Sequence, residues 1–241
     1  MLGSLSLAGR ARHLRLSGRY TFWKGSKATS RETGRMGSHL EPWPRWAEKA
    51  LQGLAFWIGH RHALYPNYPL GEAALVAEAC NLIFANLGAD GILLCERQYK
   101  QLVPHGTWPE GLGGKARCDL AIVHGLGHAQ AEQMTSLAGH LSAVIEVKRA
   151  FAPKAQIDQD LKRLAAFKAS NPLVRAFLFV VAEAMRPKTF VAAEGRAILG
   201  KKPISGTQSH YRVRRACKAA AAFSGKETAH YACIVEVYHG Q

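Results

Sequence analysis

Two carboxylates and one lysine in apolar surroundings are the residues of this chain best suited to chemistry. Asp119 lies within Cys118-Asp119-Leu120-Ala121-Ile122-Val123, and 27 positions later (146 − 119) comes Val144-Ile145-Glu146-Val147-Lys148. In a strand, Glu146 and Lys148 point to the same face, roughly 6.6 Å apart along it. Asp119 shares a face with Ala121 and Val123 on its own strand. If the two strands are hairpin neighbours, one register sets Asp119 beside Glu146. Carboxylates that close repel unless a cation sits between them. Charges without partners are also costly in strands this apolar. The pattern therefore predicts a divalent-cation site with Asp119 and Glu146 as ligands. Mg2+ suits all-oxygen ligands and retained waters, with Mn2+ as the alternative. A water polarised by such a metal and positioned by Lys148 is a nucleophile for phosphorus, and Lys148 can stabilise charge developing on a phosphate. Read alone, Glu-x-Lys also fits an exposed cross-strand ion pair; the Asp in a second apolar strand favours the metal.

The elements that must position these residues are legible from periodicity. The apolar segment from Trp46 to Gly59 reads as a helix, and Glu72 to Leu87 as a second. On the second helix Leu75, Val76, Ala79, Leu82, Ile83 and Leu87 share a face, as helical spacing requires. Glu72 falls near the centre of that face, and Glu78 lies on its flank. Strands follow at Ile92 to Tyr99, which carries Glu96, at Arg117 to His124 and at Leu141 to Arg149. A helix from Gln156 to Ser170 presents Ile157, Leu161, Leu164, Ala165 and Phe167, and Arg175 to Ala182 reads as a buried strand. Residues 125–140 form a long connection, a length often tied to function. Val213 to Phe223 is predicted to be a helix that is basic at its start, and Tyr231 to Tyr238 a last strand. This order makes an α/β sheet with helices on its faces.

Together, Asp119, Glu146-Val147-Lys148, the element order, and the following helix with Gln156 and Asp160-Leu-Lys-Arg-Leu164 resemble the PD-(D/E)xK, or restriction-endonuclease-like, nucleases over residues 70–184. The resemblance implies an αβββαβ core with a mixed central sheet of four to five strands flanked by helices. It implies Mg2+ on Asp119 and Glu146, joined by a helix acid for which Glu72 is the first candidate and Glu78 the second. It gives Lys148 the role of assisting the attacking water, and nominates Gln156 as a residue facing the site. Glu96 is a further candidate. Cys118 stands where the family often has Pro before the Asp.

Charge points the same way. Lys and Arg number 32 against 17 Asp and Glu, a net charge of +15. Residues 1–45 hold nine basic and two acidic residues, or +7, which leaves +8 (15 − 7) for the other 196. That excess favours a polyanionic partner, because neutralised phosphates release condensed counterions. DNA is expected in preference to RNA. Arg212, Arg214, Arg215 and Lys218 are candidate phosphate contacts, set against the plain alternative of a solvated face. Residues 1–45 read as a basic, disordered arm; residues 46–241 form the nuclease domain, with its core at 70–184 and an extension over 185–241.

Five cysteines are widely separated and none forms a CxxC pair, which gives no support to a zinc ribbon or redox motif and suits a cytoplasmic setting. No run approaches the length of a membrane span. His60 with His62, and His124 with His128, are weak metal pairs, and His105 is a weak phosphate contact. Gly111-Leu-Gly-Gly-Lys115 lacks the Ser or Thr of a phosphate-binding loop, so ATP hydrolysis is not expected. The expectation is a Mg2+-dependent DNA endonuclease directed at foreign DNA. The rivals are a repair or recombination nuclease on structured DNA or RNA, and a non-catalytic nucleic-acid-binding module. Symmetric duplex cleavage would be compatible with a homodimer.

Overall fold

A computed structural model describes residues 43–104, 106–109, 112–219 and 229–240. The expected basic arm therefore lies outside the described residues except at 43–45, as do His105 and Gly111. Helix α1 spans Arg45–Leu64 and α2 spans Glu72–Phe84. Strand β1 (Gly91–Gln98) runs into the one-turn helix α3 (Tyr99–Leu102), followed by β2 (Arg117–His124), the short α4 (His128–Gln133) and β3 (Leu141–Arg149). Helix α5 (Lys154–Ser170) leads to β4 (Arg175–Ala182), and β5 (Lys202–Pro203), β6 (Ser209–Ala219) and β7 (His230–His239) follow.

All seven strands belong to one mixed sheet in the order β1-β2-β3-β4-β7-β6-β5. Among the described strands only β3 and β4 pair in parallel, and α5 supplies the crossover that a parallel pair needs. Strands β3 and β4 are covered on both faces, so their sequences are nearly continuous apolar runs instead of alternating ones. On one face lie α1 and α2 with Leu120, Ile122, Ile145, Val147, Phe177 and Phe179. On the other lie α5 and Ala121, Val123, Val144, Leu178 and Val180. The buried positions of α1, Ala47, Ala50, Leu51, Leu54, Ala55 and Ile58, follow the three-and-four spacing of one helical stripe. Trp43 and Trp46 pack edge-on against Phe177, with centroids 6.5 and 5.9 Å away.

The sheet is larger than the four to five strands expected, and the difference has one main source. The predicted helix over 213–223 is strand β6 as far as Ala219, with residues 220–223 outside the described set. Along Ser209–Arg214, buried Ser209, Tyr211 and Val213 alternate with half-buried His210, Arg212 and Arg214, the period of a strand. A register shift between Val213 and Arg215 interrupts that alternation, and the Ala-rich run beyond it imitates helix. Smaller differences lie at element ends: α2 stops at Phe84, α5 begins at Lys154, and Tyr99 starts a helical turn. Among the described residues no helix is long and apolar enough to cross a membrane.

Phe177 is fully buried at the centre of this packing whereas Leu199 is 83% exposed. Phe177→Ala should lower unfolding free energy by about 3–5 kcal/mol, and Leu199→Ala by less than about 0.5 kcal/mol. Urea titration followed by circular dichroism checks both.

Candidate active site

The ladder between β2 and β3 runs inward from Leu120 opposite Ile145. Continued by one step, this register sets Asp119 opposite Glu146 where the two strands part. The Asp119 carboxylate turns across the fork, and its Oδ2 accepts the backbone N–H of Val147 at 2.7 Å. A backbone donor beyond the end of a ladder needs such a partner, because a buried unpaired N–H is costly. On the opposite flank, β1 pairs with β2 at Cys95–Leu120 and Arg97–Cys118 without a register shift. Between those pairs Glu96 adopts a left-handed φ of 53°. Such a conformation is uncommon for a residue with a Cβ. It carries Glu96 out of the strand path to the rim of a cleft of about 540 Å3, which Glu72, Cys80, Cys95 and Asp119 also line.

Glu146 is only 2% exposed and accepts the Tyr99 hydroxyl on Oε1 at 2.7 Å. Lys148, two residues on, donates from Nζ to Glu72 Oε1 at 2.5 Å and lies 3.4 Å from Asp160 Oδ2. Asp160, also 2% exposed, binds Arg163 at 2.9 Å through its other oxygen. Helix α2 thus brings Glu72 from its first turn, and α5 brings Asp160, to the same ammonium.

These contacts set the protonation of the group. Burial pushes Asp119 up from its ordinary 3.8 to about 6; the Val147 N–H and Lys148 pull it down, and the charges of Glu96 and Asp160 add to the rise. Glu146 is raised well above the usual carboxylate range by burial and by the Asp119 charge, against the opposing bond from Tyr99. Burial also raises Asp160, with Lys148 and Arg163 opposing. For Lys148, desolvation favours the neutral amine, but the bond to Glu72 and the charges of Asp160, Glu72 and Asp119 outweigh it and hold the ammonium above its ordinary value.

Of the residues nominated from the sequence, Glu72 and Lys148 touch, Asp119, Glu72 and Glu96 line one cleft, and Glu146, buried against Tyr99, does not line it. Glu78 does not line the cleft. Gln156 is exposed, and the side chain that α5 sends to Lys148 is that of Asp160, one turn further on. Asp160 had a readable signal: it lies inside the apolar stripe Ile157, Leu161, Leu164, where an acid must have a partner. Tyr99 had none, for it stands in the polar run Glu96-Arg97-Gln98-Tyr99-Lys100-Gln101 and only the fold turns it toward Glu146.

The basic candidates are dispersed along β6. Arg214 donates to the Tyr238 hydroxyl at 2.6 Å and pairs with Glu236 at 3.1 Å. Arg215 pairs with Glu48 at 2.6 Å, Arg212 lies over the Tyr238 ring, and Lys218 is exposed. Of the histidine pairs, His62 lies 3.8 Å from Glu183, and His124 lies 3.5 Å from Asp90. Among the described residues, no group of three or more His, Cys, Asp or Glu side chains is arranged to hold a metal ion. Scans of the chain against protein-family models, curated proteins and solved structures find no match.

The raised Asp119 has a consequence for stability. A folded-state pKa above the unfolded one means that the native state binds the proton more tightly, so this residue's contribution falls as pH rises from about 3.8 to about 6. Asp119→Asn keeps an oxygen for the Val147 N–H and removes that penalty. The variant should exceed the wild type in unfolding free energy at pH 7 by on the order of 1–2 kcal/mol. The difference should vanish below about pH 4, as measured by urea midpoints across that range.

Proposed function

We propose that this chain is a Mg2+-dependent nuclease of the restriction-endonuclease-like kind, hydrolysing phosphodiester bonds in DNA. The observation that carries this reading is the fork of β2 and β3, where Asp119 and Glu146 occupy the first positions beyond the ladder and Lys148 stands one strand period further on. The element order α2-β1-β2-β3-α5-β4, broken only by short helical turns, supports it.

The donor set fits a hard cation. Val147 and Tyr99 each take one oxygen, leaving Asp119 Oδ1 and Glu146 Oε2 without hydrogen bonds among the described residues. Two carboxylates, with waters and substrate phosphates completing the shell, are what Mg2+ ordinarily requires of a protein. A closed three- or four-donor site of the zinc type would be a different arrangement. Asp119 and Glu146 would hold the ion, with Glu72 at the edge of the same cleft. A cation bound there supplies Lewis-acid polarisation of a phosphoryl oxygen and acidifies a water.

The chain's own residues account for the rest. Lys148, kept protonated by Glu72 and Asp160, acts as a fixed positive charge toward a phosphate and not as a proton acceptor. Glu72 and Asp160 fix where that charge stands. The net charge of +15 draws a nucleic-acid backbone toward the molecule. Restriction of foreign DNA is the setting favoured, with repair or recombination on structured DNA as its rival. One observation favours a non-catalytic nucleic-acid-binding module instead: Glu146 is almost wholly enclosed beneath Tyr99.

Plasmid incubation separates these readings. The wild-type chain should cleave with Mg2+ and stop with a chelator. Asp119→Ala and Lys148→Ala should each lower the rate by about 100-fold or more. Cleavage that survives both substitutions rejects the site, and binding without any cleavage establishes the module reading. Discrete fragments would mark sequence-specific cutting, and a smear non-specific cutting.

A further inference from the structure

The spacing of the cysteines gives no redox motif, yet the fold brings two of them together. Cys80 on α2 and Cys95 on β1, fifteen residues apart in sequence, place their Sγ atoms 3.5 Å from one another. Both line the cleft that holds Glu72, Glu96 and Asp119. Cys95 is exposed and Cys80 half-buried, so a small oxidant reaches the pair from the cleft. No other pair is so placed: Cys118 and Cys233 are buried, and Cys217 and Cys233, although on paired strands, belong to cores on opposite faces of the sheet.

We propose that Cys80 and Cys95 are a modification site, forming a reversible disulfide under peroxide-class oxidants that fastens α2 to β1. Among the described residues, strand β1 is an edge of the sheet and pairs only with β2. A covalent tie from its cleft side to α2 therefore restrains the two elements that form the walls around Glu72 and Glu96.

The chemistry balances in two steps. A thiolate of the pair attacks one oxygen of the peroxide, the O–O bond breaks, and a sulfenic acid and water result. The second thiol attacks the sulfenic sulfur, the S–S bond forms, and the S–OH oxygen leaves as a second water. Both sulfurs are oxidised and the peroxide is reduced. Desolvation, the hydrogen bond with Cys80 and the charges of Glu96 and Glu132 hold the Cys95 thiol up at about 11. Cys95 is the more exposed of the two sulfurs, and either order of attack gives the same disulfide. Closing the bond requires the sulfurs to approach from 3.5 Å to about 2.05 Å.

The bond is read by mass, whether or not the chain cleaves nucleic acid. No Lys or Arg lies between Arg61 and Arg97, so trypsin releases both cysteines in the single peptide 62–97. The full chain is treated with hydrogen peroxide while folded, then denatured, alkylated and digested. The peptide should take no alkyl label, weigh two hydrogens less than its reduced form, and take two labels after dithiothreitol. Thiols per chain should fall from five to three, and Cys118→Ser and Cys217→Ser should leave the peptide result unchanged. Amide exchange over α2 and β1 should slow in the oxidised chain. A doubly labelled peptide after oxidation, pairing with another cysteine, or a bond between chains overturns the proposal. So does unchanged exchange in a chain that carries the bond.

Discussion

The hydrogen bond from Val147 N–H to Asp119 is the contact on which the arrangement of this molecule turns. Strands β2 and β3 are paired up to Leu120 and Ile145 and then separate. A separating pair leaves backbone donors facing a gap, and inside a protein each must be satisfied. Here a side chain does this instead of backbone or water, and that side chain is a carboxylate. The fork is thereby held open by a charge. Everything placed around it, Glu96 on the kinked edge strand, Glu146 on the facing strand and the first turn of α2, meets the field of that charge.

The electrostatics follow from geometry. Glu72, Asp119, Glu146 and Asp160 are four acids served locally by Lys148 and Arg163. With fewer cations than acids in a desolvated region, Asp119, Glu146 and Asp160 hold their protons more tightly and the lysine keeps its own. Acids raised in this way contribute less to stability at neutral pH than at low pH, and two of the three, Asp119 and Glu146, lie on the strands that the proposed metal site would use. Destabilised polar clusters of this sort persist where function requires them.

What could be read in advance divides along the same physical line. Strands β2, β3 and β4 were legible because burial on both faces leaves long apolar runs, against which Asp119, Glu146 and Lys148 stand out. The α5 stripe was legible from its three-and-four spacing, and Asp160 within that stripe, not the exposed Gln156, is the α5 side chain that reaches Lys148. Strand β6 was not legible. Its alternation is broken by an irregularity between Val213 and Arg215, and side-chain period is the main local signal a strand gives. Its arginines then read as a basic helix start, when in the fold Arg214 and Arg215 are spent on Glu236 and Glu48. Tyr99 depended on a contact 47 residues away, and the Cys80–Cys95 approach depended on how α2 crosses β1; no local pattern encodes either.

The chain also supplies its own comparison for Glu146. Glu236 on β7 is just as deeply buried, at 3% exposure, but it is surrounded by Arg175 at 2.7 Å, Arg214 at 3.1 Å and the Tyr238 hydroxyl at 2.6 Å. That is how this fold buries a glutamate for structure: with cations and donors enough to replace water. Glu146 has one hydroxyl partner and, among the described residues, no ion pair; its strongest charged neighbour is another carboxylate. A purely structural role would favour the Glu236 arrangement or an apolar residue in its place. Lys148 and Arg163 act on Asp119 and Glu146 from a distance but pair with neither, so these two acids carry less compensating charge than Glu236, and the proposed divalent cation has the charge and the oxygen preference to add it.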